Sequence, residues 1–301
     1  MIAEAEHSHR STRSISLFRS WIALLRSKPQ PFSFTVAALI GSFLGAGEIP
    51  GVQTALEAGV MVYLISAAIY LYNDAVEVDL DRMNTQGTVK RPLTTGGASV
   101  GEAFALTAFA AAVGLLLAAV LGSLTLLLAA SALSLGVAYS APGIYLKKRF
   151  PHKTVVMAVS ASLASMMGAS PYTIFNMRVA IAVGVTSSYI VTMAIINDFR
   201  DIEGDRAFGI RTFPLVLGVP VSLMLMRTGF ALTGALIVLS SILYHTAALF
   251  MVIALLGLTA SIITTLPIAS KSPEPKACRK VLKKIRLLHF LMQTALLSLI
   301  L

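Results

Sequence analysis

The sequence predicts an all-α membrane protein, a bundle of nine transmembrane helices with two pseudo-repeated halves. Its composition is the first observation behind this prediction: of 301 residues, 56% are hydrophobic and only 13% are charged. A soluble domain would carry about twice that charged fraction. In addition, apolar runs long enough to cross a bilayer recur along the whole chain, and one acidic ten-residue segment occurs twice.

The nine predicted spans are apolar runs of about 20 residues, the length that crosses a bilayer as a helix. In chain order they cover roughly residues 33–53, 55–74, 101–120, 123–141, 154–174, 178–198, 219–244, 246–268 and 284–301. The first run is interrupted by Gly41, Gly45 and Gly47, which weakens its helical pattern. Residues 1–32 are a polar segment in which we expect no cleavable signal peptide, and residues 33–301 form a single domain.

The basic residues predict the orientation of the bundle. With a cytoplasmic N-terminus, the cytoplasmic segments are 1–32, 75–100, 142–153, 199–217 and 269–283. Counted with the helix-entry residues as far as Arg286, they hold 22 of the 24 Lys and Arg residues. This asymmetry follows the positive-inside rule, and it favours an odd number of spans with the C-terminus outside. The net charge of +10 therefore reflects topology, and we expect a lipid bilayer and no nucleic acid as partner. The single cysteine, Cys278, excludes an intrachain disulfide.

One acidic segment is present in two copies, at residues 73–82 and 197–206, offset by 124 residues. The two copies hold eight of the fourteen acidic residues, and each follows an apolar run, where a carboxylate is costly unless it is paired or bound to metal. A Pro-Leu-x-x-Gly sequence follows each copy, at 92–96 and 214–218. The duplication predicts pseudo-repeated halves whose acidic segments open into a central cavity on the cytoplasmic side.

The acidic residues have the spacing of one helix face. Asp74, Glu77 and Asp81 lie at positions i, i+3 and i+7, and the second copy repeats this spacing. Oxygen ligands without nitrogen or sulfur suit Mg²⁺. A solvated helix cap is the ordinary alternative for a single Asp-x-x-Asp, but two matched copies favour a metal site. The candidate metal ligands are Asn73, Asp74, Glu77, Asp81, Asp198, Asp201 and Asp205.

Basic side chains lie at the same predicted membrane face as the acidic segments. Metal ions together with Arg or Lys side chains stabilise a departing phosphate or diphosphate in many enzymes. The candidates for diphosphate binding are Arg26, Lys90, Arg91, Lys147 and Arg206. For Lys147, anchoring at the cytoplasmic interface is an equal alternative. The rest of the bundle is apolar and would accommodate a long hydrocarbon chain.

At these residues the sequence resembles the UbiA-type intramembrane prenyltransferase superfamily. The two acidic motifs of that family match Asn73, Glu77, Asp81, Asp198, Asp201 and Asp205. The stretch 203–214 and the stretch 139–149, which contains Tyr-Ser-Ala-Pro and Leu-Lys-Lys-Arg, are also similar to family signatures. The resemblance extends over the whole chain. Glu77 is a departure, because the family usually has Asp at this position.

The resemblance implies an enzyme that transfers a polyprenyl group from its diphosphate to a lipophilic acceptor. It further implies two Mg²⁺ ions that bridge the acidic motifs. The allylic C–O bond would ionise, Mg²⁺ and the basic residues would neutralise the diphosphate, and the acceptor would capture the allylic cation. Asp81, Asp205 and Tyr139 are the catalytic candidates that this mechanism implies.

The acceptor is less constrained than the donor. Similarity around residues 73–96 favours a geranylgeranylglyceryl phosphate acceptor in ether-lipid synthesis. Aromatic quinone precursors (4-hydroxybenzoate, homogentisate or naphthoate) and chlorophyllide-type tetrapyrroles are alternatives. A cation-coupled transporter is an alternative of another class, because transporters also combine repeats with intramembrane acidic residues.

Overall fold

The computed structural model describes residues 19–84, 91–244, 248–268 and 273–300. Within these ranges the chain forms helices joined by turns and contains no β-strand, so the all-α prediction is confirmed. Helix α1 is described over residues 19–26. The following helices are α2 (Gln30–Ala46), α3 (Val52–Val76), α4 (Val78–Asn84), α5 (Pro92–Thr95), α6 (Val100–Leu121), α7 (Ser123–Ser140), α8 (His152–Ala169), α9 (Met177–Arg200), α10 (Ile202–Ala207), α11 (Phe213–Val216), α12 (Gly218–Tyr244), α13 (Ala248–Thr265) and α14 (Pro275–Ala295).

The order of the helices repeats along the chain. Long helix α3 is followed by short helices α4 and α5 and then by long helix α6, and α9 to α12 have the same order. Helix α6 begins at a capping box, in which the Ser99 hydroxyl accepts from the Glu102 N–H and the Glu102 carboxylate accepts from the Ser99 N–H. The repeated order agrees with the duplication in the sequence and places the acidic segments at equivalent corners.

Within the described part of the chain, six helices are long and apolar enough to cross a membrane. These candidate spans are Val52–Val76, Val100–Leu121, Ser123–Ser140, Met177–Arg200, Gly218–Tyr244 and Met251–Ile268. Helix α2 is apolar but has only 17 residues, and α8 and α14 are not among the candidate spans. The total of nine spans therefore stays a prediction, as does the orientation of the bundle.

The glycines that interrupt the first apolar run lie where α2 packs closely against α8. A Cβ on Gly41 would lie 2.1 Å from the Ser165 carbonyl oxygen, and a Cβ on Gly168 would lie 1.8 Å from that of Ala38. Only glycine permits this approach of the two backbones. Helix α2 then ends at Gly47, whose φ of 74° is left-handed, so the run predicted to reach residue 53 stops earlier.

The last helix differs from its prediction. We expected a span over 284–301, but α14 begins at Pro275 and continues to Ala295. Its first half is amphipathic, with Cys278, Val281 and Ile285 buried against the bundle and basic side chains exposed. The apolar run does not predict that the helix begins at Pro275, because only one face of the first half of α14 packs against the bundle.

Candidate active site

Each acidic segment lies at a corner between a long helix and a short one. Helix α3 ends at Val76 and α4 begins after Glu77, which has φ −109° and ψ 17°. Asp201 separates α9 from α10 with nearly the same backbone angles, φ −106° and ψ 12°. The helical hydrogen-bond pattern is thus interrupted for one residue in each segment, at Glu77 and at Asp201. The N–H of Glu77 still bonds to the Asn73 carbonyl, and the N–H of Asp81 bonds to the Glu77 carbonyl.

The first corner pairs its aspartates with two basic residues. Asp74 is buried, and its Oδ1 lies 2.5 Å from the Lys28 Nζ. Arg91 donates to Asp81 Oδ2, and its Nη1 lies 3.6 Å from Asp74 Oδ1. Proline at the next position begins helix α5 and fixes the backbone there. The predicted Arg91 is thus placed directly on the acidic segment.

Glu77 points toward a different basic residue. Its carboxylate forms an ion pair with Lys147, which is buried despite its charge. Lys147 lies in a short 3₁₀ turn after Tyr145, whose φ of 44° turns the chain sharply. The amide of Asn73 donates to Glu77 Oε1 and to Ser140 Oγ, both at 2.5 Å. The longer Glu77 side chain is therefore accommodated by contacts that connect α3 to the end of α7.

The second corner is organised by a residue that sequence reasoning missed. Lys153 Nζ lies 2.9 Å from Asp198 Oδ1 and 2.7 Å from Asp205 Oδ2, and both aspartates are buried, with 1% and 5% of their surface exposed. Burial raises the pKa of Asp205, and the adjacent Lys153 ammonium opposes that rise. In the sequence, Lys153 is one of several basic residues before an apolar run, and no spacing connects it with residues 45 or more positions away.

The remaining charged residues of the second segment are more accessible. Arg200 donates from Nε to Asp201 Oδ1 at 2.7 Å, and both side chains are half-buried. Glu203 and Arg206 are exposed on α10. Arg206 has no ion pair among the residues that the structure describes. The predicted role of Arg206 in diphosphate binding stays a prediction.

Arg26 and Lys90 are two further residues that the sequence predicts for diphosphate binding. Arg26 is exposed on the last turn of α1, and Lys28, two residues later, makes the contact with the acidic segment. Lys90, another candidate for diphosphate binding, lies outside the described residues.

Tyr139 connects the two corners. It lies in the last turn of α7, close enough to Glu77 of the first segment and to Asp198 and Lys153 of the second to interact electrostatically with all three. Tyr70, one turn before the first segment on α3, also interacts with it. Tyr139 is therefore near both acidic corners, and the central cavity that the duplication predicts stays a prediction.

The donor set fits a hard divalent cation by its chemistry. Every candidate ligand supplies oxygen, from carboxylates or side-chain amides, and such ligands suit Mg²⁺. Within the described ranges no three acidic residues gather around one point that could hold a metal ion. The reason is visible in the contacts, since Lys28, Arg91, Lys147 and Lys153 occupy the spaces beside the carboxylates. A bound metal ion would take the place of these basic side chains beside the carboxylates.

Comparison with known proteins gives an extensive match. The profile of the UbiA prenyltransferase family matches residues 34–292. Digeranylgeranylglyceryl phosphate synthase of Thermococcus kodakarensis is 31% identical over 193 residues, which cover 61% of this chain and 64% of that relative. That match spans slightly less than two thirds of the relative. The synthase of the same name from Thermococcus sibiricus is 26% identical over 287 residues, or 91% of this chain and 94% of the relative.

A solved structure has the same fold. It is a UbiA homolog from Archaeoglobus fulgidus bound to GPP and Mg²⁺, with a TM-score of 0.67 and 22% sequence identity. The similarity covers 93% of this chain and 99% of the other. The fold is therefore shared over nearly the whole chain.

Proposed function

The chain belongs to the UbiA prenyltransferase family and is an integral membrane prenyltransferase, and we propose that it transfers a geranylgeranyl-like group from its diphosphate to geranylgeranylglyceryl phosphate. The observation that carries this proposal is the joining of two matched acidic corners around Tyr139, each lined by lysine or arginine. Family membership leaves the transporter alternative without support.

Mg²⁺ is the metal that we propose for this site. The donor atoms suit it, and the homolog from Archaeoglobus fulgidus binds Mg²⁺ together with GPP. When bound, Mg²⁺ would neutralise the charge that develops on a departing diphosphate. We propose two ions, held by ligands chosen from Asn73, Asp74, Glu77, Asp81, Asp198, Asp201 and Asp205.

In this proposal, basic residues of the chain bind the diphosphate. Arg91, Lys147 and Lys153 form ion pairs with the acidic residues from three different segments of the chain. Positive groups fixed around the diphosphate stabilise the charge that forms on it as the allylic C–O bond breaks. The Tyr139 phenol is near charged groups of both corners, and its hydroxyl would donate a hydrogen bond to the same group. Arg26, Lys90 and Arg206 stay candidates for diphosphate binding.

The acceptor assignment depends on the relatives. The two Thermococcus proteins are named digeranylgeranylglyceryl phosphate synthase, and one of them matches this chain over 91% of its length. A lipid acceptor is also compatible with a site at the ends of long apolar helices, since its chains can lie beside the bundle while its headgroup reaches the charged corners. Aromatic and tetrapyrrole acceptors are the alternatives that an experiment must separate.

The orientation of the site is part of the same proposal. Both corners lie next to segments that hold nearly all of the basic residues, so the positive-inside rule places them at the cytoplasmic face. We propose that residues 33–301 form one transmembrane domain of nine spans after a cytoplasmic segment, 1–32. The diphosphate would then enter from the cytoplasmic side and the prenyl chain would extend into the bundle.

An acceptor panel tests the proposed reaction. The purified protein would be given geranylgeranyl diphosphate and Mg²⁺ with geranylgeranylglyceryl phosphate, 4-hydroxybenzoate, homogentisate, dihydroxynaphthoate or a chlorophyllide. Mass spectrometry of the products should show the digeranylgeranylated glyceryl phosphate. A product with one of the other acceptors, and none with the glyceryl phosphate, would reassign the enzyme within its family.

A further inference from the structure

Positive charge is concentrated on one face of α14. In the first part of this helix, from residue 276 to residue 284, every exposed side chain is lysine or arginine. We call these residues the basic stripe: Lys276, Arg279, Lys280, Lys283 and Lys284. At about 100° of rotation per residue they lie within an arc of about 140°. The opposite face, which includes Val281 and Ile285, is buried against the bundle, so the stripe is held on the outer surface of the protein.

The basic stripe has no balancing negative charge. None of its side chains forms an ion pair with the residues that the structure describes. The one acidic residue among residues 273–300 is Glu274, which is exposed and precedes the helix. Lys276, Lys280 and Lys284 follow one another at i, i+4 spacing, and like charges at this spacing repel each other on a helix. Lys276 also lies in the first turn, where the helix dipole disfavours a positive charge. An anionic surface beside the stripe would offset both costs.

The same face of α14 becomes apolar directly after the stripe. The next exposed side chains within the same arc are Leu287, Phe290 and Leu291, with 63%, 43% and 46% of their surface exposed. Such side chains on the outside of a membrane bundle face hydrocarbon, whereas long basic side chains place their charge at the headgroups. The change from basic to apolar therefore places the stripe at the level of the lipid headgroups.

We propose that the basic stripe of α14 binds the headgroups of anionic phospholipids in the surrounding membrane. Charge complementarity supports this partner, because clusters of about four to eight Lys or Arg residues next to a membrane-spanning segment attract anionic lipids. The positive-inside rule accounts for basic residues on this side of the bundle, but it does not account for their gathering on one helix face without a carboxylate. No residue of the stripe is among those that we propose for the metal ions or the diphosphate. The inference is therefore independent of the acceptor.

Native mass spectrometry of the purified protein tests this lipid surface. The protein in detergent would be incubated with equal amounts of dioleoyl phosphatidylglycerol, which is anionic, and dioleoyl phosphatidylcholine, which has no net charge. We expect bound phosphatidylglycerol to exceed bound phosphatidylcholine by about tenfold or more, since each Lys or Arg near an anionic surface contributes about fivefold. Added NaCl should lower this ratio, because salt screens exposed charges. The triple variant Lys276→Gln, Lys280→Gln, Lys284→Gln should bring the ratio close to one.

Two further variants separate the stripe from the net charge of the protein. Arginine at the same three positions keeps the charge and should keep the ratio of the wild type. The triple variant Lys148→Gln, Arg149→Gln, Arg211→Gln removes three exposed basic side chains outside α14 and should leave the ratio nearly unchanged. Equal binding of the two lipids by the wild type would overturn the inference. An equal fall in both glutamine variants would also overturn it, because the preference would then depend on net charge and not on the stripe.

Discussion

Asp205→Asn is expected to lower turnover by about a thousandfold while the protein still folds. Asp205 is 5% exposed and contacts Lys153, so the substitution removes a buried negative charge without changing the shape of the side chain. If this carboxylate organises the cations around the diphosphate, its loss removes electrostatic stabilisation of the transition state, and single groups of this kind contribute about 10²–10³-fold or more. Release of inorganic diphosphate from geranylgeranyl diphosphate in the presence of acceptor measures the effect.

The same short helix supplies the control for that variant. Glu203 lies two residues before Asp205, carries the same charge and is exposed. Glu203→Gln should keep turnover within about twofold, since a solvated carboxylate is screened by water. Near-normal turnover in Asp205→Asn would remove Asp205 from the catalytic site. An equal loss in both variants would mean that the charge of the whole segment matters, and that no single carboxylate is special.

Lys153→Met is expected to cost stability as well as activity. The substitution leaves Asp198 and Asp205 buried without their common positive partner, and an uncompensated buried charge costs about 3–5 kcal/mol. The midpoint of unfolding in detergent should therefore fall markedly. Lys148→Met is the matched control, because Lys148 is a neighbouring basic residue that is exposed.

Cys278 offers a direct readout of that unfolding. It is the single cysteine of the chain and is fully buried, and burial raises the pKa of its thiol to about 11. A thiol-reactive dye should label it only when the bundle opens, because the thiolate is the reactive form and is scarce in the folded protein near neutral pH. Equal labelling temperatures for wild type and Lys153→Met would contradict the structural role of Lys153.

The acidic residues of the site could be predicted from the sequence because their pattern is local. The two segments occur at a fixed offset and each follows a long apolar run, so their equivalence can be seen without a structure. The structure places them at matching corners that share Tyr139. The interruption at Glu77 and Asp201 could not be predicted, because the i, i+3, i+7 spacing is the same in a continuous helix and in one that is interrupted for one residue.

The basic partners were harder to predict because lysine and arginine side chains are long and the contacts are distant in sequence. Lys28 and Lys153 reach the acidic corners, whereas Arg26, only two residues from Lys28, is exposed. The positive-inside rule explains all of these basic residues equally, so it does not predict which of them contact the acidic residues. Gly41 is a similar case, since its close approach to α8 is recognisable only when both helices are in place.

Dependence of the reaction on Mg²⁺ is the most direct test of the central claim, that the two acidic corners form one metal-assisted prenyl transfer site. Product formation from geranylgeranyl diphosphate and geranylgeranylglyceryl phosphate would be followed in Mg²⁺, in EDTA, and after Mg²⁺ is added back in excess over EDTA. We expect product in Mg²⁺, none in EDTA, and recovery on addition. Product at an equal rate in EDTA would contradict the claim, because the carboxylates would then act without a metal ion.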